Sequence, residues 1–461
     1  MAAPLLLPAP AGPPLSQLAA ALPDERHPVL LQGGGPPSRW NAWSYLLFDP
    51  LELLVRRAGE GPGTAFEALE AALRRSWPDA RPPERSGGVD EPDALPAFRG
   101  GCAGWLAYEL GRELERLPSR AAPDADVPDL HLGLYDVALA EQAGTGRRLL
   151  VGRASETRGR QVLDELAGLA TRAAPLPRPP RPTGPVTSTF TRAAYEAAVR
   201  AAREHILDGD VYQVNLSQRL AVPYPGRPEP LAAALAERFP APFAALLRAP
   251  GLALVSSSPE LFLRRRGTAV LSRPIKGTRP RGTTPAQDAT LRRELESSEK
   301  ERAELAMIVD LVRNDLGRSA RLGSVRVAGD FETDAWSTVF HRVAEVRCEV
   351  APELPASRLV AAAFPPASVT GTPKIRACEV IDELEPVRRH VFTGAIGWIG
   401  ADGDLDLSVA IRIGTLAGGR LLFNVGGGIT LASEPAAEYD ETLHKARALL
   451  DVLGAPPELA T

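Results

Sequence analysis

Apolar residues recur at helical spacing from Thr191 to Leu207, and Asp208-Gly209 then supplies a stop. The same spacing marks Ala65 to Arg75, Arg160 to Arg172 and a long stretch from about Ala286 to Leu316. Inside that stretch the charged run RRELESSEKER gives way to the almost wholly apolar LAMIVDLV, so a helix there enters the core part-way along its length. Strand-like runs occupy Trp43 to Phe48, His131 to Ala140, Arg148 to Val151, Leu252 to Ser256, Leu261 to Arg264 and Ala269 to Ser272. Late in the chain Val391 to Ile399, Leu405 to Gly414 and Arg420 to Val425 are joined only by Ala401-Asp402-Gly403-Asp404 and Ala417-Gly418-Gly419. Connections that short suit antiparallel hairpins and leave no room for a crossover helix. The last patterned segment, SEPAAEYDETLHKARALL, reads as a helix begun by Ser433 or Glu434 with Pro435 in its first turn. These elements predict an α+β fold with large antiparallel sheets.

The proline-rich AAPLPRPPRPTGPVT, residues 173–187, has no periodicity and reads as a semi-rigid linker between an N-terminal lobe, 1–172, and a second region, 188–455. A length of 461 residues accommodates both with a sizeable core. No apolar run reaches the roughly 18–20 residues of a membrane span. The opening MAAPLLLPAPAGPPL also lacks the basic segment of a secretory signal, so a cytoplasmic protein without membrane attachment is expected. With 53 basic and 57 acidic residues the net charge is −4, which argues against a nucleic-acid partner. Cys102, Cys348 and Cys378 are far apart and form neither a disulfide framework nor a metal knuckle. Lysine occurs at only four positions, Lys276, Lys300, Lys374 and Lys445, against 49 arginines. A chain so biased toward arginine keeps lysine where a compact ammonium or a titratable amine is needed, so each lysine is a candidate for chemistry.

Glu301 and Glu304 project from one helix face, and Glu438, Glu441 and Lys445 do the same on the C-terminal helix. Either set alone is compatible with a solvated charged face. Two glutamate pairs converging on one place would instead suit Mg²⁺, which takes a few carboxylates and retains waters and substrate oxygens. The run Val425-Gly426-Gly427-Gly428-Ile429-Thr430 follows a strand and is either a turn or a place where bare backbone amides approach an anion. Arg412, in SVAIRIGT, is expected in an apolar strand, where its guanidinium needs a carboxylate from a buried ion pair or from a ligand.

Six segments carry a further signal: GDVYQVNLSQR (Gly209 to Arg219), SSSPELF (Ser256 to Phe262), RPIKGTRPRG (Arg273 to Gly282), ERAELAMIVDLVRNDLGR (Glu301 to Arg318), SVTGTPKIRACEVI (Ser368 to Ile381) and GGGITLASEPAAEYDETLHKA (Gly426 to Ala446). They resemble the chorismate-utilising enzymes, which include anthranilate synthase component I, aminodeoxychorismate synthase component I, isochorismate synthase and salicylate synthase. The motifs keep the family's order over about residues 188 to 452. SRWNAWSYLLFDPLELL and FRGGCAGWLAYELGRELERLPS resemble the aminodeoxychorismate synthase version of the N-terminal lobe. The resemblance implies two stacked, largely antiparallel sheets flanked by helices, with 188–455 as the chorismate-binding domain. Some relatives bind tryptophan in the N-terminal lobe, and the surroundings of Ser44 match that pocket only loosely.

The resemblance also implies roles. Water-using members carry a lysine at the place of Gln213, so a glutamine there fits ammonia as the nucleophile. Lys276, in Pro274-Ile275-Lys276-Gly277-Thr278, stands where anthranilate synthases carry alanine and resembles the aminodeoxychorismate synthases. The family pattern makes Lys276 a nucleophile, Glu260 an acid with a raised pKa, and His341 a neighbour of C4 of the substrate ring. Mg²⁺ would be held by Glu304 and Glu441, with Glu301 and Glu438 nearby or acting through water. Arg412 with the backbone of Gly426, Gly427 and Gly428 would hold the enolpyruvyl carboxylate. Gly277 and Thr278 would lie near the ring carboxylate, and Gln213, Thr370 and Lys445 would line the substrate site. The expected reaction converts chorismate and ammonia to 4-amino-4-deoxychorismate, with anthranilate formation as the alternative. No G-x-C-x-G elbow surrounds a cysteine, so ammonia is expected from a separate glutamine amidotransferase subunit. An idle amino-acid sensor would have no use for Lys276 or the glutamate pairs.

Overall fold

The structure is a computed structural model that describes residues 4–80, 89 and 92–455. Residues 1–3, 81–88, 90 and 91 of the expected N-terminal lobe lie outside the described residues, as do 456–461. Antiparallel ladders build a 12-stranded and a 10-stranded sheet. In the larger, Leu5–Ala9, Arg148–Gly152, Val137–Gln142, Trp43–Leu47 and Val29–Gln32 are followed in order by Phe243–Ala249, Leu252–Ser258, Ile413–Ala417, Arg420–Ile429 and Gln213–Pro223. In the smaller, Glu52–Arg56, Leu130–Tyr135 and Gly101–Leu106 are followed by Ala395–Gly400, Leu405–Val409, Leu261–Arg266, Ala269–Arg273, Val339–Glu349 and Ile275–Pro280. The ladders Leu246↔Leu30 and Ala395↔Leu106 thus join strands from either side of 173–187 in both sheets. That segment is exposed along most of its length and has no helix or strand before Thr187–Ser188, but it does not separate two sets of sheets.

The sheets stack face to face. Trp43, Tyr45 and Leu47 of one meet Ala103, Trp105, Ile396 and Trp398 of the other in a shared core, with the Tyr45 and Trp398 rings 6.4 Å apart. The outer face of the larger sheet is covered by Leu15–Ala21, Glu156–Arg172, Pro228–Arg238 and Pro435–Leu453. The outer face of the smaller is covered by Ala65–Ser76, Glu299–Gly317 and Ala356–Ala363. The two stacked antiparallel sheets with flanking helices are the architecture expected from the sequence.

Helix Arg192–Leu207 starts and stops where the pattern put it, with Thr191 capping its first turn. Other boundaries shift for identifiable reasons. His131 to Ala140 is two strands in different sheets, Leu130–Tyr135 and Val137–Gln142, with the switch at Asp136. The long stretch after Ala286 is two helices, Pro285–Ser297 and Glu299–Gly317, because Ser298 leaves helical geometry and its side chain accepts from Glu301 N–H. Leu5–Ala9 was not visible in the sequence; its Pro8 is tolerated because the strand lies at a sheet edge.

Candidate active site

Twice, side by side, the chain steps from one sheet to the other. Residues 259 and 260 link Leu252–Ser258 to Leu261–Arg266, and residues 410–412 link Leu405–Val409 to Ile413–Ala417. Hydrogen bonds stitch the crossings together: Ser258 Oγ donates to the Val409 carbonyl at 2.6 Å, Val409 N–H to the Glu260 carbonyl at 3.0 Å, and Ser257 N–H to the Arg412 carbonyl at 3.0 Å. Glu260 and Arg412 are thereby brought together. Arg412 is not in a strand, as the apolar flanks had suggested. It has φ 50, the left-handed conformation, at the crossing. Its surface opens to solvent, yet surrounding protein pulls its pKa below that of an ordinary arginine, with Glu260 opposing. Among the described residues no side chain hydrogen-bonds or ion-pairs with it, so none of them supplies the carboxylate that the sequence called for.

Lys276 sits on a bulge. Ile275 pairs with Val343 and Thr278 with His341, so Lys276 and Gly277 together face the single residue Arg342. Gly277 has φ 88, and a Cβ there would stand 3.0 Å from Glu301 Oε2. The bulge carries the Lys276 side chain to the strand Arg420–Ile429, where a Cβ on Gly428 would lie 3.6 Å from Nζ and 2.0 Å from Gln213 Nε2. Burial lowers the Lys276 pKa against the pull of Glu304 and Glu260. Burial raises Glu260 from the ordinary 4.5 to about 7, outweighing a hydrogen bond from Ser368 and the charge of Lys276. Ile275 N–H donates to Glu260 Oε1 at 3.3 Å, which ties the acid to the residue preceding the lysine. An amine drawn toward neutrality thus stands close to a carboxyl drawn toward protonation. That combination marks functional sites.

Across the bulge, His341 Nδ1 lies 3.0 Å from Thr278 Oγ1. Burial, helped by Arg412 and Arg273, pushes His341 down to about 3, so the ring is neutral. Its Nε2 is buried without a partner, as is Oε1 of Gln213, at the start of Gln213–Pro223. The glycine run is not a turn. Gly426, Gly427 and Gly428 continue the strand, paired with Ser217, Leu216 and Asn215. Their bare backbone admits side chains on both sides: a Cβ on Gly427 would meet Glu438 Oε2 at 3.2 Å and Glu441 Oε1 at 3.7 Å.

The four glutamates converge on this end of the strand. Burial raises Glu304, reinforced by Glu301 and Glu438, and burial raises Glu438, reinforced by Glu441. Burial also acts upward on Glu441, but Lys445, 2.7 Å away, outweighs it and leaves Glu441 below the ordinary value. Arg279 pairs with Glu301 at 3.3 Å. No three of the four bring oxygens within 4.8 Å of one another, but Mg²⁺ needs only one or two carboxylates beside waters and substrate oxygens. An all-oxygen donor set in which burial and neighbouring carboxylates raise Glu304 and Glu438 fits such an ion.

Two expected residues have their polar groups engaged by the chain itself. Thr370 is buried, and its hydroxyl donates to the Pro366 and Ala367 carbonyls while its own carbonyl accepts from Asn215 N–H at 2.7 Å. Lys445 Nζ donates to the Gly426 carbonyl at 2.8 Å as well as to Glu441. One residue of the site was not singled out from the sequence: Ser368, which hydrogen-bonds Glu260. Its only signal was membership of SVTGTPKIR.

The arrangement extends over nearly the whole chain, and so does the similarity to known proteins. A family model described as chorismate binding enzyme matches residues 36–451. The chain belongs to this family. An aminodeoxychorismate synthase component 1 of Salmonella typhimurium is 37% identical and covers 92% of this chain and 92% of its own. An anthranilate synthase component 1 of Haloarcula marismortui is also 37% identical, over 89% of this chain and 83% of its own. The crystal structure of anthranilate synthase component I from Streptococcus pneumoniae superimposes with a TM-score of 0.78 at 26% identity, over 88% of this chain and 92% of that one. This chorismate-binding chain is therefore of the anthranilate and aminodeoxychorismate synthase component I type. Among its described residues no helix is long and apolar enough to cross a membrane.

Proposed function

We propose that this chain is the aminating component of an aminodeoxychorismate synthase, forming 4-amino-4-deoxychorismate from chorismate and ammonia. One observation carries the reading: Lys276, of lowered pKa, stands on a glycine-opened bulge next to Glu260, of raised pKa. Neutral Lys276 Nζ attacks C2 of the ring as the C4–O bond breaks, and the Glu260 carboxyl gives its proton to the departing hydroxyl, which leaves as water. Ammonia then forms the C4–N bond, the C2–N bond to Lys276 breaks, and the Glu260 carboxylate takes up the proton shed by the nitrogen. Arg412, without a hydrogen-bonded partner among the described residues, holds a substrate carboxylate, and neutral His341 presents Nε2 to the C4 region. Glu304 and Glu441, with Glu301 and Glu438 nearby, would hold Mg²⁺, which neutralises the ring carboxylate and withdraws electron density from the ring. Ammonia would come from a separate glutamine amidotransferase subunit; the component 1 names of the relatives support a multi-subunit enzyme.

A second reading, anthranilate formation, has support from the equal identity to the Haloarcula marismortui protein. The two differ in product, so purified chain with chorismate, Mg²⁺ and ammonium salt decides between them by mass: 4-amino-4-deoxychorismate supports the proposal, and anthranilate overturns it. Lys276→Ala and Lys276→Arg should each remove most turnover, because arginine keeps the charge but is not a usable nucleophile. With ammonia withheld, the wild type should show an adduct of chorismate minus water on the peptide containing Lys276. Substantial activity in Lys276→Arg would overturn the covalent route.

A further inference from the structure

Away from the residues described so far, three buried side chains meet where the N-terminal strands join the rest of the smaller sheet. Glu109 lies in the short turn Tyr108–Leu110, Asp129 immediately precedes strand Leu130–Tyr135, and His390 lies in the loop before strand Ala395–Gly400. Their accessible surfaces are only 1%, 3% and 5% of the full value. One donor atom from each lies within 4.8 Å of the other two. Backbone bonds hold the three segments in register: Ala107 N–H donates to the Asp129 carbonyl at 2.7 Å and Tyr108 N–H to the His390 carbonyl at 2.8 Å.

Two of these side chains keep a polar atom that is unused. Glu109 Oε1 accepts from Arg389 N–H at 3.0 Å, but Oε2 is buried without a partner. His390 Nδ1 is likewise buried without a partner, while its other nitrogen, Nε2, lies 3.1 Å from Asp124 Oδ1. A histidine with one nitrogen held by a carboxylate and the other left without a partner has the form of a metal ligand, whose second nitrogen is held in the same way. Asp129 Oδ2 accepts from Ala58 N–H at 2.8 Å. Arg112 acts on Glu109 less than the His390 ring does, and it spends its hydrogen bonds on Asp382 and the Pro118 carbonyl. Among the described residues no cationic side chain hydrogen-bonds either carboxylate, and buried charge of that kind is costly unless compensated.

We propose that Glu109, Asp129 and His390 bind a divalent cation of the zinc class, which ties the N-terminal lobe to the chorismate-binding region. One imidazole nitrogen and two carboxylate oxygens suit zinc, and donors about 2.0–2.2 Å from a tetrahedral ion lie about 3.3–3.6 Å apart, so the three, already within 4.8 Å of one another, draw together by at most about 1.5 Å when the ion binds. The role is structural. Arg389, whose N–H holds Glu109, reaches with its guanidinium to the carbonyls of Asn215 and Val369, beside the strand that carries Gln213 and the turn that carries Ser368.

The test is zinc titration of the chelator-treated full chain, read by a competing chromophoric chelator and by thermal unfolding. His390→Asn is the decisive variant, because His390 has φ 52, a conformation asparagine tolerates, so the ligand is removed without new backbone strain. The wild type should take up one zinc with micromolar or tighter affinity and unfold at higher temperature for it. His390→Asn and Glu109→Gln should each weaken binding by about 10-fold or more. Zinc held by the four glutamates of the candidate active site would be unaffected by His390→Asn, so the difference between the two proteins reads this site alone. Wild type without micromolar zinc binding, or His390→Asn binding as the wild type does, overturns the proposal.

Discussion

Glu260 offers a test that separates the electrostatics of the candidate site from its chemistry. The carboxyl is 3% exposed and titrates at about 7 in the folded chain against the ordinary 4.5. Glu260→Gln keeps the shape, an acceptor for Ile275 N–H and a donor for Ser368, and removes only the ionisation. Because the folded pKa is raised, the contribution of Glu260 to stability is fully present below about pH 4.5 and is lost as pH rises through about 7. Each pH unit between those values shifts the balance by about 1.4 kcal/mol, so the whole interval amounts to about 3 kcal/mol. Glu260→Gln should therefore match the wild type near pH 4.5 and exceed it by about 3 kcal/mol near pH 8. Urea unfolding of both proteins across that range measures the difference directly.

The same variant should lose most amination turnover at every pH, since an amide cannot protonate a departing hydroxyl. A gain in stability coupled to a loss of activity is what a strained functional acid produces. If the stability difference between the two proteins stayed constant with pH, the carboxyl would not be held protonated by its surroundings, and the acid role would lose its physical basis.

The glutamates and the glycines give two more tests. Glu304→Gln and Glu441→Gln should each abolish most turnover and the double variant should cost little more, because residues acting through one ion are non-additive; full activity in excess chelator would refute the Mg²⁺ assignment. Gly428→Ala places a methyl 2.0 Å from Gln213 Nε2, the far end of a movable side chain, and 3.6 Å from Lys276 Nζ, so the variant should fold normally, measured by its unfolding midpoint, yet lose activity as Gln213 is displaced.

The sheets were legible because their strands come in hairpins whose turns carry glycine and aspartate, and the helices because serine, threonine or proline mark their starts. What escaped was where the chain changes sheet. Leu405 to Gly414 reads as one apolar strand because both halves are buried, but the first belongs to the smaller sheet and the second to the larger, with Arg412 at the step. A sheet switch leaves the apolar run intact, so nothing in the sequence distinguishes it from a straight strand. The position of Arg412 as a cation beside Glu260 follows only from the fold. The bulge under Lys276 was hidden in the same way, its one outward sign being Gly277.

The four lysines show what composition can and cannot say. The arginine bias singled them out together, and their environments divide them. Lys276 and Lys445 lie in the candidate site, and Lys300 is exposed, 3.9 Å from Glu304. Lys374 is held by the chain itself. Its Nζ donates to Asp315 Oδ2 at 2.7 Å and to the Ala363 and Pro365 carbonyls, each at 2.8 Å. Three acceptors around one nitrogen match a tetrahedral ammonium with three donors, whereas a planar guanidinium would spread its donors over a wider fork. Lys374 and Lys276 thus resist replacement by arginine for opposite reasons: one must keep all three protons in fixed bonds, and the other must be able to give one up. Composition detects the shared requirement for an amine, and only the surroundings, three acceptors in one case and burial beside Glu260 in the other, reveal which of the two it serves.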